Sequence, residues 1–199
     1  MISRRNFIKA LIAGSALLSC SNVFASKNGI EKASSIMFDK QGEGRDRIKS
    51  NGFSDEKTLN MCNIHTGESL NIQYYSAGVY DPDAIDKINY FLRCHYTNEV
   101  KEMDVGLLDL ICDIKERIGK EKEIQIISGY RSSIYNQLLI SQGRNISRNS
   151  LHLQGLAIDF AIEGISNDKL SSIAKSFEAG GVGKYPEFVH IDVGRVRYW

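Results

Sequence analysis

The sequence predicts an α+β fold, a mostly antiparallel sheet with helices packed on it. Three observations carry this. Two alternating apolar segments, around Leu59–Asn63 and at Leu70, Ile72 and Tyr74, flank a Thr66-Gly67-Glu68 turn and read as a hairpin. Several stretches have apolar residues at helical spacing, each opened by an Asp or Ser cap. Strand and helix signals then mix without regular βαβ alternation, which argues against a parallel doubly wound sheet.

After the hairpin, Asp81-Pro82 supplies an N-cap with proline at the first helical position. Ala84, Ile85, Ile88, Phe91 and Leu92 extend that helix to about His95. Asp104 caps a second helix carrying Leu107, Leu108, Leu110, Ile111, Ile114 and Ile118, stopped by Gly119. Ile124, Ile126 and Ile127 form a short buried strand ending at Ser128-Gly129. Ser132 or Ser133 opens a helix through Leu139 that ends near Gly143. A polar loop, Arg144 to Ser150, leads to His152, and Leu156 to Ile162 reads as a strand. Ser166 caps a helix through Phe177, closed by Gly180-Gly181. Strands near Val182–Tyr185 and Phe188–Val193 follow, then a terminal run from Arg195 to Trp199.

The 199 residues suit one domain with an appendage. At 42% hydrophobic the chain is not disordered overall. Lys and Arg number 25 against 24 Asp and Glu, and no basic cluster stands outside the first nine residues, so a nucleic-acid partner is not expected.

Residues 1–25 read as a cleavable leader: Arg4, Arg5 and Lys9 precede a short apolar stretch, and no acid occurs. Ser3-Arg4-Arg5-Asn6-Phe7-Ile8-Lys9 resembles the twin-arginine export motif, which implies a periplasmic protein. Cleavage after Val23-Phe24-Ala25 releases a soluble chain. Leu17-Leu18-Ser19-Cys20 resembles a lipobox, and only lipidation of Cys20 would bring the membrane in. Loss of the three leader cations leaves 22 basic against 24 acidic residues. Residues 26–57 are polar and read as an arm or tether, with the folded domain over 58–199. The cysteines Cys20, Cys62, Cys94 and Cys112 form no CxxC pattern, so a cysteine zinc knot is not expected. The three left after cleavage permit one disulfide or three buried thiols.

Of four histidines, His152 stands seven residues before Asp159, and His190 lies in an apolar strand, Phe188-Val189-His190-Ile191-Asp192. Two histidines and a carboxylate with a fourth position for water make a catalytic zinc site. Zinc lowers the pKa of such a water from about 15.7 to about 7, giving a nucleophile at neutral pH. His65, beside a turn, and His95, at a helix end, are read as surface or satisfied core residues.

Ser150-Leu151-His152-Leu153-Gln154-Gly155-Leu156-Ala157-Ile158-Asp159 matches the S-x-H-x-x-G-x-A-x-D pattern, and Ser128-Gly129-Tyr130-Arg131-Ser132 matches SGYRS. On these the chain resembles the zinc D-Ala-D-Ala peptidases. Gly180 to Tyr185, Phe188 to Trp199, Thr66-Gly67-Glu68 and Asn89 to Arg93 resemble one branch, the murein endopeptidase K group. The resemblance covers residues 58–199 and the leader, not the arm. It implies a hedgehog/D-Ala-D-Ala-peptidase-like fold and one Zn2+ per chain held by His152, Asp159 and His190. Arg131 would stabilise the oxyanion. Ser150 and Tyr130 would contact substrate, and Gly155 would allow the bend before the Asp159 strand. Glu187 stands three residues before His190, where many members place a carboxylate, and is favoured as general base. Asp192 shares a strand face with His190 and is favoured as its orienting partner, with direct action on the water as the alternative. Cys94 stands where an acid is more usual.

The implied activity is hydrolysis of peptidoglycan peptide cross-links, with stem peptides as substrate; 4-3 and 3-3 links both fit. The same site serves a D,D-carboxypeptidase, and a non-catalytic peptidoglycan-binding envelope protein is the alternative from another class.

Overall fold

The structure, a computed structural model, describes residues 55–119 and 121–199. The expected leader, its cleavage sites and nearly all of the expected arm lie outside the described residues. The architecture is mixed α and β. In chain order it runs β1 (Glu56–Asn63), β2 (Ser69–Ser76), β3 (Val79–Tyr80), α1 (Pro82–Phe91), α2 (Val105–Ile118), β4 (Ile124–Ser128) and α3 (Ser133–Ser141). A 3-10 turn (Leu151–Gln154), β5 (Ala157–Ile162), α4 (Asn167–Lys175), β6 (Gly181–Lys184), β7 (Val189–Asp192) and β8 (Arg197–Tyr198) complete it.

All eight strands join one sheet in the order β3-β2-β1-β4-β5-β7-β6-β8. The β1–β2, β2–β3, β4–β5, β5–β7 and β6–β7 pairs are antiparallel, and β1–β4 and β6–β8 are parallel. Parallel pairing needs a long crossover; between β1 and β4 that crossover contains β2, β3, α1 and α2.

Strand alternation divides the sheet into two working faces. Ile158, Phe160 and Ile162 of β5 and Val189 and Ile191 of β7 join one buried core with Leu59 and Met61 of β1. Ala84, Ile88 and Phe91 of α1, Leu107, Leu108, Ile111 and Ile114 of α2, and Leu170 and Ala174 of α4 close the same core. Each such Leu, Ile or Phe contributes roughly 1.5–3 kcal/mol on full burial. Asp159, His190 and Asp192 occupy the intervening positions and so point to the other face. Tyr74 is fully buried, and its hydroxyl donates to Leu108 O at 3.1 Å and Asp109 at 3.0 Å, which ties the hairpin to α2.

The helix starts follow their caps. Asp81 accepts from Asp83 N and Ala84 N, Asp104 from Leu107 N, Ser132 from Tyr135 N and Ser166 from Lys169 N. Several ends differ from the sequence reading. Helix α1 stops at Phe91, not His95. Leu92 O is drawn off to accept from Tyr130 N at 2.8 Å, and Arg93 turns back to cap Tyr90 O at 2.9 Å. Helix α4 stops at Lys175, short of Phe177, and Gly181 opens β6 where a helix stop was expected. The terminal run contains β8. Strand β1 begins at Glu56, inside the expected arm. Its Lys57 is anchored to Asp109 at 3.3 Å and Asp113 at 3.1 Å on α2, which an apolar pattern does not register.

Cys62, Cys94 and Cys112 form no disulfide, and Cys94 and Cys112 are buried thiols. Among the described residues no helix is long and apolar enough to cross a membrane.

Candidate metal centre

Three chain segments bring the site together. Asp159 of β5 and His190 of β7 are register partners on adjacent antiparallel strands, so their side chains rise side by side. His152 arrives on the 3-10 turn just before β5. That turn ends at Gly155, whose φ of +74° is the left-handed conformation glycine adopts freely. Gly155 O accepts from Asp104 N at 3.0 Å, locking the bend onto the start of α2. A register irregularity between Ile126 and Ser128 sets Ser128 opposite Asp159, and Arg131 follows three residues on.

His152 Nε2, Asp159 Oδ1 and His190 Nδ1 converge. His152 Nε2 is 3.2 Å from both of the others, and His190 Nδ1 is 2.7 Å from Asp159 Oδ1. A tetrahedral ion with bonds of about 2.0–2.1 Å sets its donors roughly 3.3 Å apart. The partners of the two imidazoles are compatible with an ion there. His152 Nδ1 lies 2.8 Å from Gly129 O, which only accepts, so Nδ1 carries the proton and Nε2 a lone pair. His190 has a carboxylate oxygen at each ring nitrogen, Asp192 Oδ2 3.1 Å from Nε2 and Asp159 Oδ1 2.7 Å from Nδ1; with its proton on Nε2, Nδ1 presents a lone pair to the other two donors. In that tautomer three lone-pair atoms face one another, as the donors of a bound cation do. These three residues are suited to hold a metal ion.

In the metal-free site the same groups shift one another's ionisation. Burial works against an ionised Asp159, but His152 and His190 hold its carboxyl well below the usual carboxylate range. Burial would lower His190; hydrogen bonds to Asp159 and Asp192 raise it instead. Burial opposes ionisation of Asp192 too, yet His190, the Gly181 and Gly194 amides and Arg197 pull it down. Asp192 is fully buried and its oxygens are saturated. Oδ1 accepts from Gly181 N at 3.0 Å, Gly194 N at 2.9 Å and Arg197 Nη1 at 3.2 Å; Oδ2 accepts from His190 and from Arg197 Nη2 at 2.8 Å.

A cavity of about 440 Å³ opens over the centre. Arg131, Ser150, His152, Asp159, Glu187 and His190 all line it. Arg131 Nη2 is 3.6 Å from Asp159 Oδ2, and burial lowers its pKa from the ordinary arginine value. Its Nε is buried with no hydrogen-bond partner. Ser150 is the N-cap of the His152 turn but its hydroxyl makes no capping bond. Glu187 is exposed on the rim, its carboxylate in no hydrogen bond or ion pair among the described residues. Two expected site residues, Asp192 and Tyr130, are not in the cavity lining; Asp192 lies behind His190. The partly buried Tyr130 ring packs against the core, and burial and a bond to Glu99 raise its hydroxyl pKa.

Sequence reasoning missed part of the wall. Tyr185, Phe188, Arg197 and Trp199 line the cavity, as does Arg144. The Trp199 ring lies 5.4 Å from that of His190, and its Nε1 donates to the Tyr185 hydroxyl at 2.9 Å. It rests on Gly183, where a Cβ would come about 2.5 Å from the indole. No spacing signal links these residues. His65 and His95 lie outside the cavity and stack on each other at 4.1 Å.

Two imidazoles and a carboxylate on a rigid strand pair, opening onto a cleft with a nearby arginine, are the equipment of a hydrolytic metal centre. Residues 52–199 match the Peptidase_M15_2 family, described as peptidoglycan L,D-endopeptidase MepK, and the chain belongs to that family. The peptidoglycan L,D-endopeptidase MepK of Escherichia coli strain K12 is 39% identical over 145 residues, 72% of this chain and 80% of that protein. The probable peptidoglycan L,D-endopeptidase MepK of Haemophilus influenzae is 39% identical over 146 residues, 72% of this chain and 78% of that protein. No solved structure matches significantly. The chain is a peptidase, an endopeptidase of peptidoglycan.

Proposed function

We propose that this chain is a zinc-dependent L,D-endopeptidase of the periplasm that cuts peptidoglycan cross-links between two diaminopimelate residues. The single observation that carries the metal dependence is the convergence of His152 Nε2, Asp159 Oδ1 and His190 Nδ1 within 3.2 Å. The choice of the L,D bond rests on the names of the relatives. The fold is read as the mostly antiparallel, hedgehog/D-Ala-D-Ala-peptidase type. The twin-arginine motif at Ser3–Lys9 supports export in a folded state.

His152, Asp159 and His190 would hold the zinc, which supplies a coordinated water acidified to about pKa 7 as nucleophile. Glu187 takes the proton from the attacking water and delivers it to the leaving amine. What supports this role is an unpaired carboxylate on the wall of the same cavity. Asp192 is a poor second choice, because all its acceptor positions are occupied. It holds the His190 proton at Nε2 and so keeps Nδ1 turned to the metal. Arg131 places fixed positive charge beside the donors, where negative charge develops on the attacked carbonyl oxygen. Ser150, its hydroxyl free of a capping bond, hydrogen-bonds the substrate.

The test is digestion of purified sacculi by the mature protein, with and without a chelator, read by mass spectrometry of the released muropeptides. Chelator-sensitive loss of 3-3 cross-linked dimers is expected. Stems shortened with dimers intact would replace this reading with a carboxypeptidase; zinc-dependent binding without products would replace it with a binding protein.

A further inference from the structure

Three arginines line the cavity, and two of them are committed. Arg197 donates to both oxygens of Asp192 and to Arg195 O. Arg131 lies beneath the donors against Asp159 and Ser128. Arg144 differs. Its guanidinium makes no hydrogen bond or ion pair among the described residues, yet it lies on the cavity wall with His152 and Ser150. The loop that carries it is built rather than loose. Arg144 N donates to Leu139 O at 3.1 Å, Ile146 N donates to Arg144 O at 2.9 Å, and the buried Asn136 amide donates to Ser147 O at 3.1 Å. The backbone is therefore pinned on both sides of an arginine whose fork is unspent.

The substrate class supplies the matching group. In a bond between two diaminopimelates, the carbon bearing the leaving nitrogen carries a free carboxylate, and the other diaminopimelate carries a second at its D-centre. An ordinary internal peptide has amides there. A planar guanidinium is the best side chain for such a group, because it presents two parallel N–H donors to a carboxylate.

We propose that Arg144 binds a free diaminopimelate carboxylate next to the cleaved bond, and is the residue by which the site distinguishes this cross-link from its amidated form. The proposal rests on the endopeptidase reading above.

The experiment compares cross-linked dimers whose diaminopimelate carboxylates are free with dimers in which they are carboxamides. Wild type is expected to cleave the amidated dimer with a kcat/KM roughly tenfold to a hundredfold lower, mostly through KM, the size of a lost charge-assisted hydrogen bond. Arg144→Gln brings the free-acid dimer down to the amidated level and leaves the amidated dimer nearly unchanged; Arg144→Lys recovers part of the difference. A diaminopimelate tripeptide titrated into chelated protein shows the same preference in wild type and loses it in Arg144→Gln. Melting temperature and bound zinc stay at wild-type values in both variants. Wild-type discrimination retained in Arg144→Gln overturns the assignment while leaving the endopeptidase reading intact. Wild type that cleaves neither dimer overturns that reading, and this proposal with it.

Discussion

His190 and Asp192 stand two residues apart on one face of β7, and Nε2 of the first donates to Oδ2 of the second at 3.1 Å. The strand period thus supplies both a metal-facing imidazole and the carboxylate that fixes its tautomer. Asp192 is itself held by Arg197 and two backbone amides, so the imidazole ring is oriented through two layers of contact.

Asp192→Asn removes the charge that fixes the His190 proton. Zinc affinity and activity should each fall about 10–100-fold, the usual cost of losing such a partner. Competition with a chromophoric chelator measures the affinity; unchanged affinity would mean Asp192 serves packing alone.

Glu187→Gln separates proton transfer from metal binding. Zinc content should stay at one per chain while kcat falls about 10²–10⁴-fold. A variant with near wild-type kcat would remove Glu187 from the mechanism.

Gly155→Ala imposes a side chain at φ +74° and drives its Cβ into the Glu102 carbonyl. We expect a loss of about 1–3 kcal/mol of stability and weaker zinc binding, since His152 hangs on the same turn. Thermal unfolding with and without zinc reads both effects.

His95 gives a pH dependence outside the metal site. Burial, with His65 and Arg131 nearby, pushes its pKa down to about 4 from an ordinary 6.5. Between those values the unfolded chain binds a proton that the native state refuses, so stability is full above pH 6.5 and is lost as pH falls toward 4. In chelated protein, the unfolding midpoint of His95→Gln should drop less than that of wild type between pH 7 and 4.5. Parallel curves would assign the acid sensitivity to other groups.

The predictions rest on features of unequal legibility. Helix starts were readable because Asp81, Asp104, Ser132 and Ser166 each act within three residues of themselves. Helix ends were less so: α1 stops where Leu92 O is claimed by Tyr130, a partner far along the chain. The convergence of His152, Asp159 and His190 was legible through motif resemblance, not spacing. Tyr130 belongs to the same motif, and its partly buried ring packs against the core outside the cavity lining.

The sequence alone determined the longer strands and helices, the helix N-caps and the donor types of the centre, because those depend on local backbone chemistry and on strand and helix periods; the two-residue strands β3 and β8 carry no such period. Only the tertiary structure decided that β5 and β7 pair in the register that joins Asp159 to His190. It also decided that Asp192 is saturated while Glu187 is not, and that Arg144, Tyr185 and Trp199 wall the same cavity. Pairing register and side-chain commitment arise from contacts between distant segments, and no local pattern encodes them.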